Sequence, residues 1–185
     1  SLALCLIAAC PFVRAAESDT PKDVAQLRTM QQKLQEVAKK VIPATVAVQI
    51  GAAMGSGVIV SEDGFVMTAG HVSGKPGRKV SIILHDGRRV TGETLGANYG
   101  IDAGLLKITD DGKYPYANKG AIDDLHEGQW CIATGHPGGY QSGRPPVVRV
   151  GRILAKRDRL IVTDCTLIGG DSGGPLFDLT GNVIG

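Results

Sequence analysis

In the stretch GGDSGGPLFD, residues 169–178, four glycines crowd Ser172, Asp171 stands directly before it, and the chain then runs into the apolar Pro175-Leu176-Phe177. A serine hydroxyl is a weak nucleophile until a neighbouring base takes its proton. A base is available upstream: TAGHV, residues 68–72, puts His71 just after a strand-like run, and Asp102 stands directly before the apolar run AGLLKI. An imidazole can accept the serine proton and return it to a leaving group, and a carboxylate behind it fixes the tautomer and stabilises the imidazolium. Glycines free the serine loop of Cβ atoms, so backbone N–H groups can converge on a developing oxyanion. Taken singly, each residue has a plainer use: a glycine-rich serine loop as a turn, a strand-end histidine on the surface or in the core, an aspartate as a strand-flanking cap. Taken together, in the order His71, Asp102, Ser172 and each beside an apolar run, they favour nucleophilic catalysis.

Other candidates read more weakly. Gly170 to Gly174 formally fits G-x-S-x-G, but that elbow requires a long helix after the serine and a histidine later in the chain. PLFDLTGNVIG reads instead as strand, turn, strand, and no histidine follows Ser172. His136 lies in the Pro/Gly turn TGHPGG and reads as structural, and Asp164 in VTDC reads as a structural hydrogen-bond acceptor. His85 and His126 have turn and linker contexts, and Asp110 is a fallback carboxylate for His71. There is no CxxC or HxxxH spacing, so neither a metal nor another cofactor is expected.

The elements that must place these residues change character at Pro43. Before it, Val24, Leu27, Leu34, Ala38 and Val41 recur at helical spacing. Thr20 as cap and Pro21 in the first turn predict an amphipathic helix over 20–41. It can lie against its own domain or form a seam between copies of the chain. After Pro43, six short β-branched runs (45–50, 55–61, 65–70, 79–85, 88–96 and 103–109) read as strands, with Asp63-Gly64 and Asp86-Gly87 at hairpin positions. Residues 110–127 form a polar linker, and five further runs follow at 128–135, 146–155, 159–165, 174–178 and 182–185. The expected fold is all-β: two antiparallel barrels over 42–109 and 128–185, the second truncated at the C-terminus.

The first residues, SLALCLIAACPFVRAA, read as part of a secretory signal peptide cut after Ala15, which makes 1–15 a targeting segment and the protein exported, periplasmic or extracellular. A rival reading takes Ile7-Ala8-Ala9-Cys10 as a lipoprotein box, with Cys10 as a lipid anchor and a membrane contact through it alone. Of the other cysteines, Cys131 and Cys165 allow one disulfide but sit in apolar strand contexts that favour buried free thiols. With 20 basic and 18 acidic residues the chain has no basic field for nucleic acid.

TAGHV, D-x-x-x-L-K-I and GDSGGPL, in this order on an all-β background, resemble the chymotrypsin/trypsin-like serine proteases over residues 42–185. The helix leading into VIPATVAVQI, the GSGVIV strand and TGNVIG are similar to the bacterial HtrA/Deg type. The resemblance implies two six-stranded Greek-key barrels and a serine endopeptidase acting on unfolded or damaged polypeptides through an acyl-enzyme. A non-catalytic binding or chaperone module on the same scaffold is the alternative. It implies Gly170 and Ser172 N–H as oxyanion donors and Thr166, Leu167 and Ile168 as a wall of the S1 pocket. That wall carries no carboxylate, so it suits a small or medium apolar side chain. It also implies a following PDZ domain. One departure stands out. The HtrA/Deg branch has Asn where this chain has Asp171, whereas zymogen-type relatives have this aspartate and pair it with a newly cut N-terminal amine. No Ile-Val-Gly-Gly follows a basic cleavage site here, which leaves Asp171 without an assigned partner.

Overall fold

The computed structural model describes residues 20–185, and the expected targeting segment with Cys10 lies outside the described residues. The first helix, α1, spans Val24–Val41 and is capped by Asp23, whose side chain accepts the Gln26 N–H at 2.8 Å. Asp23 thus replaces Thr20 as the cap: it holds extended backbone at φ −148°, and an aspartate there satisfies an orphan N–H. The C-terminal half of α1 buries Val37 and Val41 in a cluster with Val58, Ile132 and Phe177. The helix therefore lies across the junction of the two lobes of its own chain. Its N-terminal half leaves Val24 and Leu27 exposed.

A 3₁₀ turn at Ile42–Ala44, begun around Pro43, leads into the first lobe. Its strands are β1 (Thr45–Ile50), β2 (Ala53–Ile59), β3 (Phe65–Ala69), β4 (Lys79–Ile83), β5 (Arg89–Asn98) and β6 (Ala103–Ile108), with a single helical turn, α2 (Gly70–Ser73), after β3. They close into a barrel in the order β1-β2-β3-β6-β5-β4. Alternating inward residues fill it, among them Val46, Val48, Ile59, Val66, Ile82 and Leu106. Both Asp-Gly pairs turn where expected, with Gly64 at φ 90° and Gly87 at φ 85°.

The second lobe holds β7 (Trp130–Gly135), β8 (Val147–Arg157), β9 (Leu160–Thr163) and β10 (Leu176–Phe177), ordered β10-β7-β8-β9. Over the described residues it is an open four-stranded sheet, the incomplete barrel expected. Its strands are fewer than the five runs suggested. The run at 174–178 shrinks to two residues, because Gly174 N–H is spent on Asp171 C=O and Pro175 has no N–H to give the ladder. NVIG makes isolated bridges, Val183 to Phe177 and to Lys119. The buried cluster of this lobe includes Cys131, Ala133, Ile153, Cys165, Leu176 and Ile184.

Candidate active site

His71 and Asp102 are brought together by strand register. In the β3–β6 pair Ala69 lies opposite Ala103, so the residues just beyond those ends emerge side by side. Asp102 turns the chain into β6 at φ 49°, a left-handed conformation that aspartate tolerates better than most side chains. Its carbonyl accepts the Gly70 N–H at 2.8 Å. Its carboxylate spends both oxygens on one residue: Oδ1 accepts the His71 backbone N–H at 2.9 Å and Oδ2 pairs with His71 Nδ1 at 2.8 Å. With Nδ1 donating, the neutral ring presents Nε2 as an acceptor, the tautomer a general base needs. The His71 backbone N–H and then its ring hold the Asp102 carboxyl below the usual carboxylate range. The two side chains are 57% and 54% exposed, so this pair orients the ring and contributes little to folding stability. Gly104 makes the arrangement compact: a Cβ there would fall 2.5 Å from Ser73 Cβ, so its absence lets α2 sit directly on β6.

Ser172 is placed by individual bonds to its loop. Gly138 N–H donates to Gly169 C=O at 2.7 Å, and Gly174 N–H donates to Asp171 C=O at 2.8 Å. Because a trans peptide points its C=O and N–H to opposite edges, these pins turn the Gly170 and Ser172 N–H groups the other way. Ser56, wholly buried on β2, ties the loop to the first lobe: its N–H donates to Ser172 C=O at 2.8 Å and its Oγ to Gly170 C=O at 2.8 Å. The same Oγ accepts His136 N–H at 2.9 Å. Gly173, at φ 82°, backs onto the end of β3; a Cβ there would sit 2.5 Å from Ala69 N, two residues before His71. Gly55 has Ser172 C=O on one side and the Val72 side chain on the other, each 2.9 Å from where its Cβ would be. The structure thus brings the serine loop against the segment that carries His71.

The remaining expected residues divide clearly. Thr166, Leu167 and Ile168 are exposed on the approach to Ser172. Leu167 lines a cavity of about 860 Å³ with Leu125, Ile161 and Leu176, whereas Thr166 and Ile168 do not line it. His136 is structural: it is 1% exposed, and burial, then the Arg144 charge, push its pKa down to about 4. Neither of its ring nitrogens has a hydrogen-bond partner among the described residues. Asp164 accepts the Arg152 N–H at 2.6 Å, and Asp110 accepts the Thr91 N–H at 2.9 Å, so both serve local backbone. Cys131 and Cys165 are free and buried, and desolvation pushes the Cys131 thiol up to about 11, far from a reactive thiolate.

Asp171 does find a partner. It is 3% exposed and meets Arg149, with Nη2 2.9 Å from Oδ2 and Nη1 3.3 Å from Oδ1. No motif in the sequence marks Arg149. Its signal was the alternation of β8, where Arg149 shares the inward register of buried Gly151 and Ile153.

With this geometry in hand, the family model for the trypsin-like peptidase domain matches residues 55–185. The chain belongs to that family. A Chlamydia trachomatis serovar D protein named "Probable periplasmic serine endoprotease DegP-like" is 40% identical over 146 residues, covering 74% of this chain and 28% of its own length. A like-named Halomonas elongata protein is 38% identical over 136 residues, covering 71% of this chain and 28% of its own. The trypsin-like domain described here thus spans about a quarter of the length of these relatives. Among solved structures, the HtrA-type protease AlgW with tripeptide superposes with a TM-score of 0.71 at 30% identity, over 82% of this chain and 52% of its own. Deg5 superposes with a TM-score of 0.71 at 27% identity, over 84% of each chain. The resemblance to the HtrA/Deg type read from the motifs is therefore the relationship found, and within it the trypsin-like domain keeps Asp171 paired internally.

Proposed function

We propose that this domain is an exported serine endopeptidase that hydrolyses peptide bonds through an acyl-enzyme. One observation carries the reading: the Asp102 carboxylate holds both the ring Nδ1 and the backbone N–H of His71, on the segment against which the Ser172 loop packs. His71 Nε2 takes the Ser172 proton as Oγ attacks the substrate carbonyl. The Gly170 and Ser172 N–H groups, turned away from their pinned carbonyls, receive the oxyanion; a donor of this kind contributes about 3 kcal/mol to the transition state. His71 then protonates the leaving amine, and water repeats the cycle on the acyl-enzyme with His71 again as base. Asp102 stays ionised throughout, consistent with its depressed carboxyl. Thr166, Leu167 and Ile168 form one wall of an apolar S1 pocket for small or medium side chains. The substrates are polypeptides outside the cytoplasm, a placement supported by the periplasmic endoprotease names of the relatives, and unfolded or damaged chains are the class that the HtrA/Deg resemblance implies.

The test is a fluorophosphonate probe combined with peptide hydrolysis. The expected result is labelling on Ser172, lost in Ser172→Ala, together with cleavage after small apolar residues. A folded protein that takes no label on Ser172 and cleaves no peptide would be a binding module, and the protease reading would fall.

A further inference from the structure

Asp171 presents a problem that the triad does not solve. A carboxylate directly before the nucleophile is almost wholly removed from water, which is strongly unfavourable unless it is paired and hydrogen-bonded. Three groups meet it. The Arg149 guanidinium reaches both carboxylate oxygens, at 2.9 and 3.3 Å. Ile168 N–H donates to Oδ2 at 3.0 Å. Gly135 on β7 leaves the space, since a Cβ there would stand 2.6 Å from Oδ1. In return Asp171 N–H donates to Ile168 C=O at 3.0 Å, which closes residues 168–171 into a turn. The Gly169–Gly170 peptide lies within that turn, with its C=O on Gly138. The shape of the turn therefore decides which way the Gly170 N–H faces.

We propose that Arg149 is a positioning residue: its guanidinium holds Asp171, and through Asp171 the 168–171 turn, in the form that presents the Gly170 and Ser172 N–H groups to the reacting carbonyl. The site is then assembled as the chain folds, with a side chain doing what a cleaved N-terminal amine does in zymogen-type relatives. This inference rests on the protease reading. It has a distinctive chemical consequence. An α-amine titrates near ~8, whereas a guanidinium keeps its charge above pH ~12. His136 is already neutral and Arg144 is another guanidinium, so neither adds an alkaline limb, and the Cys165 thiol, 3.9 Å from the Arg149 C=O, is common to the wild type and every variant, so it cancels in the comparison. Arg149 itself is only 18% exposed, so solvent ions do little to screen the pair.

The experiment measures kcat, KM and the rate of fluorophosphonate labelling from about pH 6 to pH 11 for the wild type, Arg149→Met, Arg149→Lys and the double variant Arg149→Met/Asp171→Asn. Arg149→Met is expected to lower kcat by about 10²–10³-fold with little change in KM, the size of losing one oxyanion donor. Arg149→Lys is expected to recover most of that loss near neutral pH. It then loses it again as its ammonium deprotonates, around ~10.4 when unperturbed, a limb that the wild type lacks. The double variant is expected to recover activity, since an asparagine needs no counter-charge and still accepts the Ile168 N–H. A merely structural arginine would change the melting temperature but give the lysine variant the wild-type alkaline profile, and that result overturns the proposal. So does wild-type kcat in Arg149→Met. If Arg149→Met does not fold, the lysine profile and the double variant decide. A wild type that neither hydrolyses peptide nor labels Ser172 removes the protease reading and this inference together, whereas every other negative outcome removes this inference alone.

Discussion

The two lobes place their side chains at the cleft by opposite means. In the first, the β3–β6 ladder pairs five residues in register, with Asp102 the next residue out on one strand and His71 the second out on the other, so their meeting follows from the ladder. The barrel is closed and has no free edge to distort it. In the second, no strand runs between Thr163 at the end of β9 and Leu176 at the start of β10. The loop bearing Ser172 is held by single pins: Gly138 on Gly169, Ser56 on Gly170 and Ser172, Arg149 on Asp171. A ladder distributes its load over many equivalent bonds, whereas each pin holds a different peptide. Substitutions near the serine should therefore disturb geometry more than comparable ones near the histidine.

The largest expected effect does not depend on that difference. Ser172→Ala should lower kcat by about 10⁶-fold while leaving the fold unchanged, as read by near-UV circular dichroism and peptide hydrolysis. Next, Asp102→Asn should cost about 10⁴-fold in turnover, because the amide can hold His71 in the wrong tautomer. Since asparagine also tolerates the left-handed φ of 49°, the ladder should survive and the melting temperature should barely move. A large drop in stability would show that the dyad helps to hold the barrel, and the two lobes would then not differ in this way.

A glycine pair separates pinned from free backbone. Gly173→Ala forces a left-handed alanine into contact with Ala69 N, and should destabilise the protein by about 3–5 kcal/mol in denaturant unfolding. Gly51→Ala, at φ 60° with nothing within 4 Å of its Cβ, should cost only about 1–2 kcal/mol. Equal effects would mean that the serine loop relaxes around the methyl group. The last expected effect concerns acid. His136 is held at about 4 in the fold against 6.5 when free, so between these values the unfolded chain binds the additional proton. Stability should be full above pH ~6.5 and fall as pH drops towards ~4, by on the order of 3 kcal/mol. In His136→Phe that portion of the slope should vanish from unfolding curves taken at several pH values.

The residues with local signatures were legible. The period-two runs 45–109 became six barrel strands, and the Asp-Gly pairs became their turns. The motifs around His71, Asp102 and Ser172 marked residues that the fold places at the junction of the two lobes. What escaped depends on register across the chain. Arg149 and Asp171 are 22 residues apart, and only the β8 alternation aims the guanidinium inward. Ser56 read simply as part of a strand, because its four bonds go to residues 12 to 116 positions away. The cap moved from Thr20 to Asp23 because two adequate cap types lie within one turn of each other, and propensity alone does not choose between them.

Ser56 also has a mechanical consequence. Its N–H and hydroxyl hold Ser172 and Gly170, and its carbonyl accepts the Thr68 hydroxyl at 2.7 Å, next to the end of β3. A hinge that swung one lobe from the other would have to break these bonds around a wholly buried serine. The junction is thus a welded seam, and the freedom left beside the serine loop lies in the exposed residues 166 and 167, ahead of the pinned 168–171 turn. In native-state hydrogen exchange, the Ser56 and His136 amides should open together and slowly, at the pace of global unfolding, while amides of 166 and 167 exchange orders of magnitude sooner.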